Sequence, residues 1–346
     1  MMRPVHLLII LALLALSTAT MAQDDETPLP SVFRMNRLGT EYQGWNNCGP
    51  ATLTNALVHF GYEDDQNRAA NWLKPDSEDK NVSPWQMVEF VNTQIPEIPV
   101  YGLVRSGGTI ETVKTLMFNG FPVVIEKGYE PSGYDWMGHY LLMVGYDDQL
   151  EAFTTMDSFR GPDTRYSYEN IKEYWQHFNY TYIILFTADR EGELMELLGA
   201  DADEWQNHIN TLEMARAEAI AEPEDAHAWF NMGSNFVNLG MYDVAAQAYD
   251  QAISLGLPWR MMWYQFGPYE AYYRTGRFDD MIAIVRQNQN DGGGHFVEET
   301  WYYLGMAREG RGEYDKAIQN YNTALNFNPR FTPAQEAKER LAAQSG

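Results

Sequence analysis

Apolar positions follow two different rules along this chain. Between residues 31 and 190, short runs such as "PVYGLV", "FPVVIEK", "HYLLMVGY", "AFTTMDSF" and "YTYIILFT" have the continuous or alternating apolar character of strands. Interleaved with them, "PATLTNALVHFG", "SPWQMVEFVNT", "TIETVKTLMFNG" and "YENIKEYWQHF" repeat apolar residues every three or four positions, which predicts amphipathic helices. Such a mixture is of α+β class. After Glu191 the strand-like runs stop, and Ala, Glu, Met, Tyr and Trp recur at helical spacing.

One register recurs in that second half. Trp229, Gly233, Gly240, Tyr242, Ala245, Tyr249, Ala252 and Pro258 are matched, in place or one residue off, by Trp301, Gly305, Gly312, Tyr314, Ala317, Tyr321, Ala324 and Pro329, while Phe236 and Leu304 each belong to one copy alone. The pattern resembles the tetratricopeptide repeat (TPR), whose period is about 34 residues. A middle copy is irregular: Trp263 stands in step with Trp229, but Gly276 comes late. "NTLEMARAEAIAEPEDA" reads as the second helix of a partial first copy, and the stretch from Thr332 as a capping helix. Small residues admit close helix approach and aromatics fill the gaps, so the Trp and Tyr residues here are expected in a core.

The first 22 residues read differently again. Arg3, the apolar run "LLIILALLAL" and the small-residue exit at Ala22 form a secretory signal pattern. That run is far short of the roughly 20 residues needed to span a bilayer. An exported protein, secreted or held in the cell envelope or periplasm, is therefore expected, with no integral membrane segment after cleavage. The boundaries expected are a signal peptide at 1–22, an α+β domain at 23–190 and a helical-repeat domain at 191–346. Lys and Arg total 24 against 48 Asp and Glu, and the net charge of −24 argues against nucleic acid as a partner.

Cys48 is the only cysteine, so it has no internal disulfide partner. In isolation such a residue is more often an inert, buried thiol than a nucleophile. Its neighbours change the balance. Gly49 and Pro50 follow it, and Pro favours the first helical turn, which puts the thiol at a helix N-terminus, where N–H groups and the dipole favour the thiolate. Gln43, five residues upstream, has an amide able to donate to an oxyanion. Of seven histidines, His6 leaves with the signal, and His59 lies on the Cys48 helix itself. His208, His227 and His295 belong to the repeats, and His177 sits on an amphipathic helix. His139 remains, at the mouth of an apolar strand. If the strands around it form a hairpin turning on Asp148, Asp157 stands opposite His139. Singly, each has a plain structural reading, a core histidine and a capping aspartate.

"YQGWNNCGPATLTNAL", "GHYLLMVGY" and "MDSFRGP", in that order, resemble the peptidase C39-like family of papain-like cysteine peptidases. The resemblance covers the first half. It implies an α+β papain-like cysteine peptidase domain followed by an all-α TPR solenoid, with Cys48 as nucleophile, His139 as general base, Asp157 as its orienting acid and Gln43 as oxyanion donor. The relatives that cut leader peptides are fused to transporters, and neither transmembrane helices nor a phosphate-binding loop are found in this sequence, so leader processing is not implied.

The loop at residues 127–138, "KGYEPSGYDWMG", leads into His139, and Tyr134 and Trp136 are candidate rim residues of a substrate cleft, together with Trp45 beside the thiol. The expected partners are a peptide or protein substrate and a protein bound by the repeat groove. No cofactor and no metal are expected. Two rivals to a peptidase stay open: a thiol-dependent amidase or acyltransferase sharing the thioester intermediate, and a non-catalytic peptide-binding scaffold. The targeting expectation is checked by N-terminal mass spectrometry of the exported protein, which should begin within a residue or two of Gln23; an N-terminus at Met1 or Met2 would refute it.

Overall fold

In the computed structural model, residues 28–290 and 292–344 are described; the expected signal segment at 1–22 lies outside them. The first half is built on an antiparallel sheet of seven strands among the described residues. In chain order these are β1 (Val32–Arg34), β2 (Val100–Arg105), β3 (Val123–Tyr129), β4 (Met137–Asp147), β5 (Ala152–Asp157), β6 (Gly161–Ser167) and β7 (Tyr182–Thr187). Their spatial order is β2-β7-β3-β4-β5-β6, and β1 also pairs with β4. Long β4 shares one edge between two partners: β3 pairs with Met137 to Met143, and β1 takes over from Gly145 to Asp147.

Both faces of the sheet are covered, which explains why its central strands read as unbroken apolar runs. Successive side chains point to opposite faces. Val123, Ile125, Leu141, Met143 and Ile184 enter one core with α4 (Ile110–Phe118) and Trp175 of α5 (Tyr168–Gln176). Val124, Leu142, Met156 and Ile183 enter another with α1 (Cys48–Leu57), α2 (Gln66–Leu73) and α3 (Pro84–Gln94). Strands β1 and β6 had no apolar signal: β6 is an edge strand that buries little beyond Gly161 and Tyr166.

The second half is an array of antiparallel helices. After α6 (Glu191–Leu198) and α7 (Glu204–Ala221) come the pair α8 (Ala226–Asn238) and α9 (Tyr242–Leu255), then α10 (Gly267–Arg274) and α11 (Phe278–Asn290), then α12 (Glu298–Gly310) and α13 (Tyr314–Phe327), closed by α14 (Thr332–Gln344). The small-residue reading of the repeat holds: the space a Cβ would need at Gly233 is taken by the Tyr249 ring and at Gly305 by that of Tyr321. In the irregular copy the first helix is short, and Trp263 lies before it in a 3-10 turn, Met261–Trp263.

The first core extends past the expected boundary at residue 190. Leu194 and Leu198 of α6 are buried in the first core, so that half runs on through the Gly199–Ala202 turn, where Arg105 donates to the carbonyls of Asp201 and Ala202. The two halves are also fastened together. Trp136 and Phe178 of the first half join the repeat core. Asn179 and Asn235 exchange side-chain hydrogen bonds of 3.1 and 3.2 Å, and the rings of His177 and His227 stack with centroids 3.7 Å apart.

A buried carboxyl cluster lies at the same interface. Asp79, in the loop between α2 and α3, is hydrogen-bonded to Glu298 of α12; Asn81 donates to Glu299 at 3.2 Å, and Asn328 to Glu298 at 2.9 Å. Burial, then the charge of Glu298, pushes Asp79 and Glu299 well above the usual carboxylate range. Groups raised in the folded state stabilise it fully below their unfolded pKa, about 4, and lose that contribution as pH rises through the folded value. Glu298→Gln removes the shared charge. It should flatten the decline of Tm with rising pH and raise Tm in mildly alkaline buffer by roughly 3 °C or more. Calorimetric scans across pH check this, and parallel curves for variant and wild type would show that the cluster carries no such coupling.

Candidate active site

Cys48 is the first residue of α1, half-buried, with its helix packed on β4. Asn47 precedes it with no side-chain cap, and the first turn holds no acidic residue, so the free helix N–H groups are left to a different anion. The Asn47 amide is instead turned toward Gln66 Oε1, 3.0 Å away. Positive φ at Asn46, 54°, makes the sharp entry into the helix.

His139 is buried on β4 and presents Nε2 to Asp157 Oδ1 at 2.9 Å, while its ring is hydrogen-bonded to the Cys48 thiol. With Nε2 engaged, Nδ1 is the nitrogen left for sulfur. The Tyr129 ring stacks on the imidazole, with centroids 4.7 Å apart, and fixes its plane. Asp157 is fully buried, yet it accepts three more bonds: from the N–H groups of Phe159 and Arg160 at 2.9 and 3.1 Å, and from the Tyr166 hydroxyl at 2.6 Å. A carboxylate so supplied with donors stays ionised in spite of burial, and its pKa is held below the usual range.

The expected pairing register does not hold, although the residue it selected does lie beside His139. The turn spans Asp148 to Glu151, and Val144 bulges from β4, so Met156 faces Leu142 and β5 is displaced along its partner. Asp157 reaches His139 from a diagonal position instead of a directly opposed one.

Gln43 is placed by its backbone N–H, which donates to Ser158 O at 2.8 Å, and by its side-chain oxygen, which accepts from Ser158 Oγ at 2.9 Å. Engagement of Oε1 leaves the Nε2 hydrogens as the free polar end. Ser158 Oγ also lies 3.4 Å from Thr52 Oγ1 of α1, joining the Cys48 helix to the loop after β5. Gly161, at φ 115°, makes room for Tyr42 beside Gln43: a Cβ there would stand 2.3 Å from the Tyr42 hydroxyl.

Burial by itself would raise the Cys48 pKa. The hydrogen bond and charge of His139, with the backbone groups of Tyr140 and Gly49, outweigh it, and the thiol is lowered from its ordinary value. Burial would likewise lower His139, but the bonds to Asp157 and Cys48 raise it to about 9. Glu126, underneath on β3, is driven well above the carboxylate range by burial, so it adds little opposing charge.

The three expected rim residues divide. Trp45 and Tyr134 are exposed, at 70% and 61%, and Tyr134 meets the Phe159 ring edge-on. Trp136 is not at the rim. It is 6% exposed and stacked on Phe178, its indole N–H donates to His177 Nδ1 at 2.9 Å, and its ring meets Tyr264 of the repeat half edge-on, so it packs into the interface between the halves. Sequence reasoning missed Ser158, Tyr166 and Tyr129; only Ser158, adjacent to Asp157, left a local trace. Among the described residues, no group of His, Cys, Asp and Glu side chains is arranged to hold a metal, and no helix is long and apolar enough to cross a membrane.

Residues 22–183 match the Peptidase_C39 like family, and residues 226–255 and 298–331 match the tetratricopeptide repeat. The chain carries a C39-like peptidase domain followed by TPR repeats. No curated protein matches it. Similar solved structures include a protein described as a C39-like peptidase from Bacillus anthracis, 16% identical over 47% of this chain and 98% of that one, with a TM-score of 0.36. MamA from Desulfovibrio magneticus RS-1 is 15% identical over 45% and 85%, with a TM-score of 0.36. YrrB, described as a TPR protein with an unusual peptide-binding site, is 14% identical over 43% and 97%, with a TM-score of 0.25.

The lowered thiol gives this C39-like domain a measurable signature. Iodoacetamide should alkylate Cys48 well below pH 8.5, the approximate value for a free cysteine. His139→Ala removes the cation that stabilises the thiolate, so the reactive limb should move up by about a unit or more. An ordinary profile, indifferent to that substitution, would overturn the ion-pair reading.

Proposed function

We propose that this protein is an exported cysteine peptidase that hydrolyses peptide bonds. The observation carrying the reading is the continuous hydrogen-bonded series from Cys48 through His139 to Asp157, with the Gln43 amide oriented beside it by Ser158. The Cys48 thiolate attacks the scissile carbonyl carbon, forming the C–S bond. The developing oxyanion is taken by the Gln43 amide and the Cys48 backbone N–H. Imidazolium His139 gives its Nδ1 proton to the leaving amine as the C–N bond breaks. Water, deprotonated by His139, then cleaves the thioester and regenerates the pair. Asp157 holds the ring in the required tautomer throughout. Trp45 and Tyr134 offer aromatic surface at the rim for the substrate chain.

Export is supported by the N-terminal signal pattern alone. The TPR repeats suit a protein or peptide partner, but part of their surface is already engaged: Asn231, Asn235, Glu298 and Glu299 all touch or bond the catalytic half.

Gln43→Ala separates catalysis from binding. It should lower kcat by roughly 10²- to 10³-fold with little change in KM, as expected for one oxyanion donor, and leave Cys48 alkylation nearly intact. Cys48→Ala should abolish turnover. The alkaline limb of kcat/KM should fall near pH 9, where His139 loses its proton. Steady-state kinetics on a peptide found by library screening checks all three, with melts to confirm folding. Full kcat in a folded Gln43→Ala protein would remove the oxyanion assignment, and activity in Cys48→Ala would remove the peptidase reading.

A further inference from the structure

His139 follows Gly138, and that glycine is covered by the repeat half. A Cβ at Gly138 would stand 2.9 Å from Phe178 and 3.0 Å from the Tyr264 ring. Tyr264 follows the 3-10 turn that replaces the start of a helix in the irregular middle repeat. Its ring meets Trp136 edge-on at 5.9 Å and Phe178 at 6.0 Å, and its hydroxyl reaches the backbone of Gly138. The residue is therefore held by Trp136 and Gly138, on the segment that delivers the imidazole, and by Phe178.

We propose that Tyr264, supplied by the repeat half, is a positioning residue of the thiol site, clamping the Gly138 backbone so that His139 is held against Cys48. The assignment rests on the cysteine-peptidase reading. A rotation about Gly138 would swing the ring away from either sulfur or Asp157, and sub-ångström errors in such geometry are costly. Charge supports the proximity: after burial, a Cys48 thiolate is the next influence raising the Tyr264 phenol, so hydroxyl and sulfur feel one another across the site. The Trp45 lip is joined to the repeats in a related way. Lys80 Nζ lies 5.4 Å from the Trp45 ring centroid and 5.5 Å from that of Phe296, which sits in the Gly294–Phe296 turn before α12. Two successive repeats thus each lend a pre-helical turn to the surroundings of the thiol.

The test uses the full chain and the variants Tyr264→Phe and Tyr264→Ala, each read by iodoacetamide alkylation against pH and by thermal melting. Tyr264→Ala should move the reactive limb upward, slowing alkylation at neutral pH about tenfold. Tyr264→Phe, which keeps the ring, should stay within about threefold of wild type. A purely structural residue would change melting without displacing the limb. A folded Tyr264→Ala protein with the wild-type profile overturns the proposal. If that variant does not fold, Tyr264→Leu fills the space, and the same displaced or wild-type profile decides. A low-pKa wild-type thiol with indifferent Tyr264 variants sinks this assignment alone. An ordinary wild-type thiol sinks the nucleophile reading and this assignment together.

Discussion

The hydrogen bond from His139 to Asp157 fixes which imidazole nitrogen is left for sulfur, and the lowered pKa of Cys48 follows from that choice. It is made where water is excluded, and moving a carboxylate out of water costs several kcal/mol unless its oxygens are otherwise supplied. Four donors supply them here: His139, two backbone N–H groups in the loop after β5, and the Tyr166 hydroxyl. The polar edge strand β6 has its use in this setting. It buries little, but it brings Tyr166 under Asp157, and the glycine that opens it leaves room for Tyr42 beside Gln43.

Much of this arrangement was legible in the amino-acid sequence, because local patterns produced it. The central strands announced themselves by apolar runs, the thiol helix by Gly49 and Pro50, and the repeat by its aromatic and small residues. Asp157 was found through a hairpin register that the fold does not use. The four-residue turn and the Val144 bulge slid the strands, and the reach of an aspartate across a diagonal pair made up the difference. Trp136 was misread because its loop has the composition of a rim, while its fate was set by Phe178 and Tyr264, distant in sequence. Tyr166 lacked any pattern of its own, since a hydroxyl that orients another side chain carries no periodicity.

The irregular middle repeat shows how a departure from pattern can mark a working part. Its first helix starts late, a 3-10 turn stands in the vacated place, and Tyr264 follows that turn against Gly138. The domain boundary tells the same story: α6 belongs to the first core, while Trp136 and Phe178 belong to the second. Stability and site geometry are therefore shared between two halves that composition separates cleanly.

Chain order gives the Gly138 contact a meaning in time. Cys48, His139 and Asp157 all leave the ribosome before Tyr264, and at roughly 5–20 residues per second the gap between Cys48 and Tyr264 lasts on the order of 10–40 s. Through that interval Trp136 and Phe178 lack their covering rings, and the strand end before His139 lacks its clamp. A chain thus holds its thiol in an unfinished setting until the middle repeat arrives to complete it.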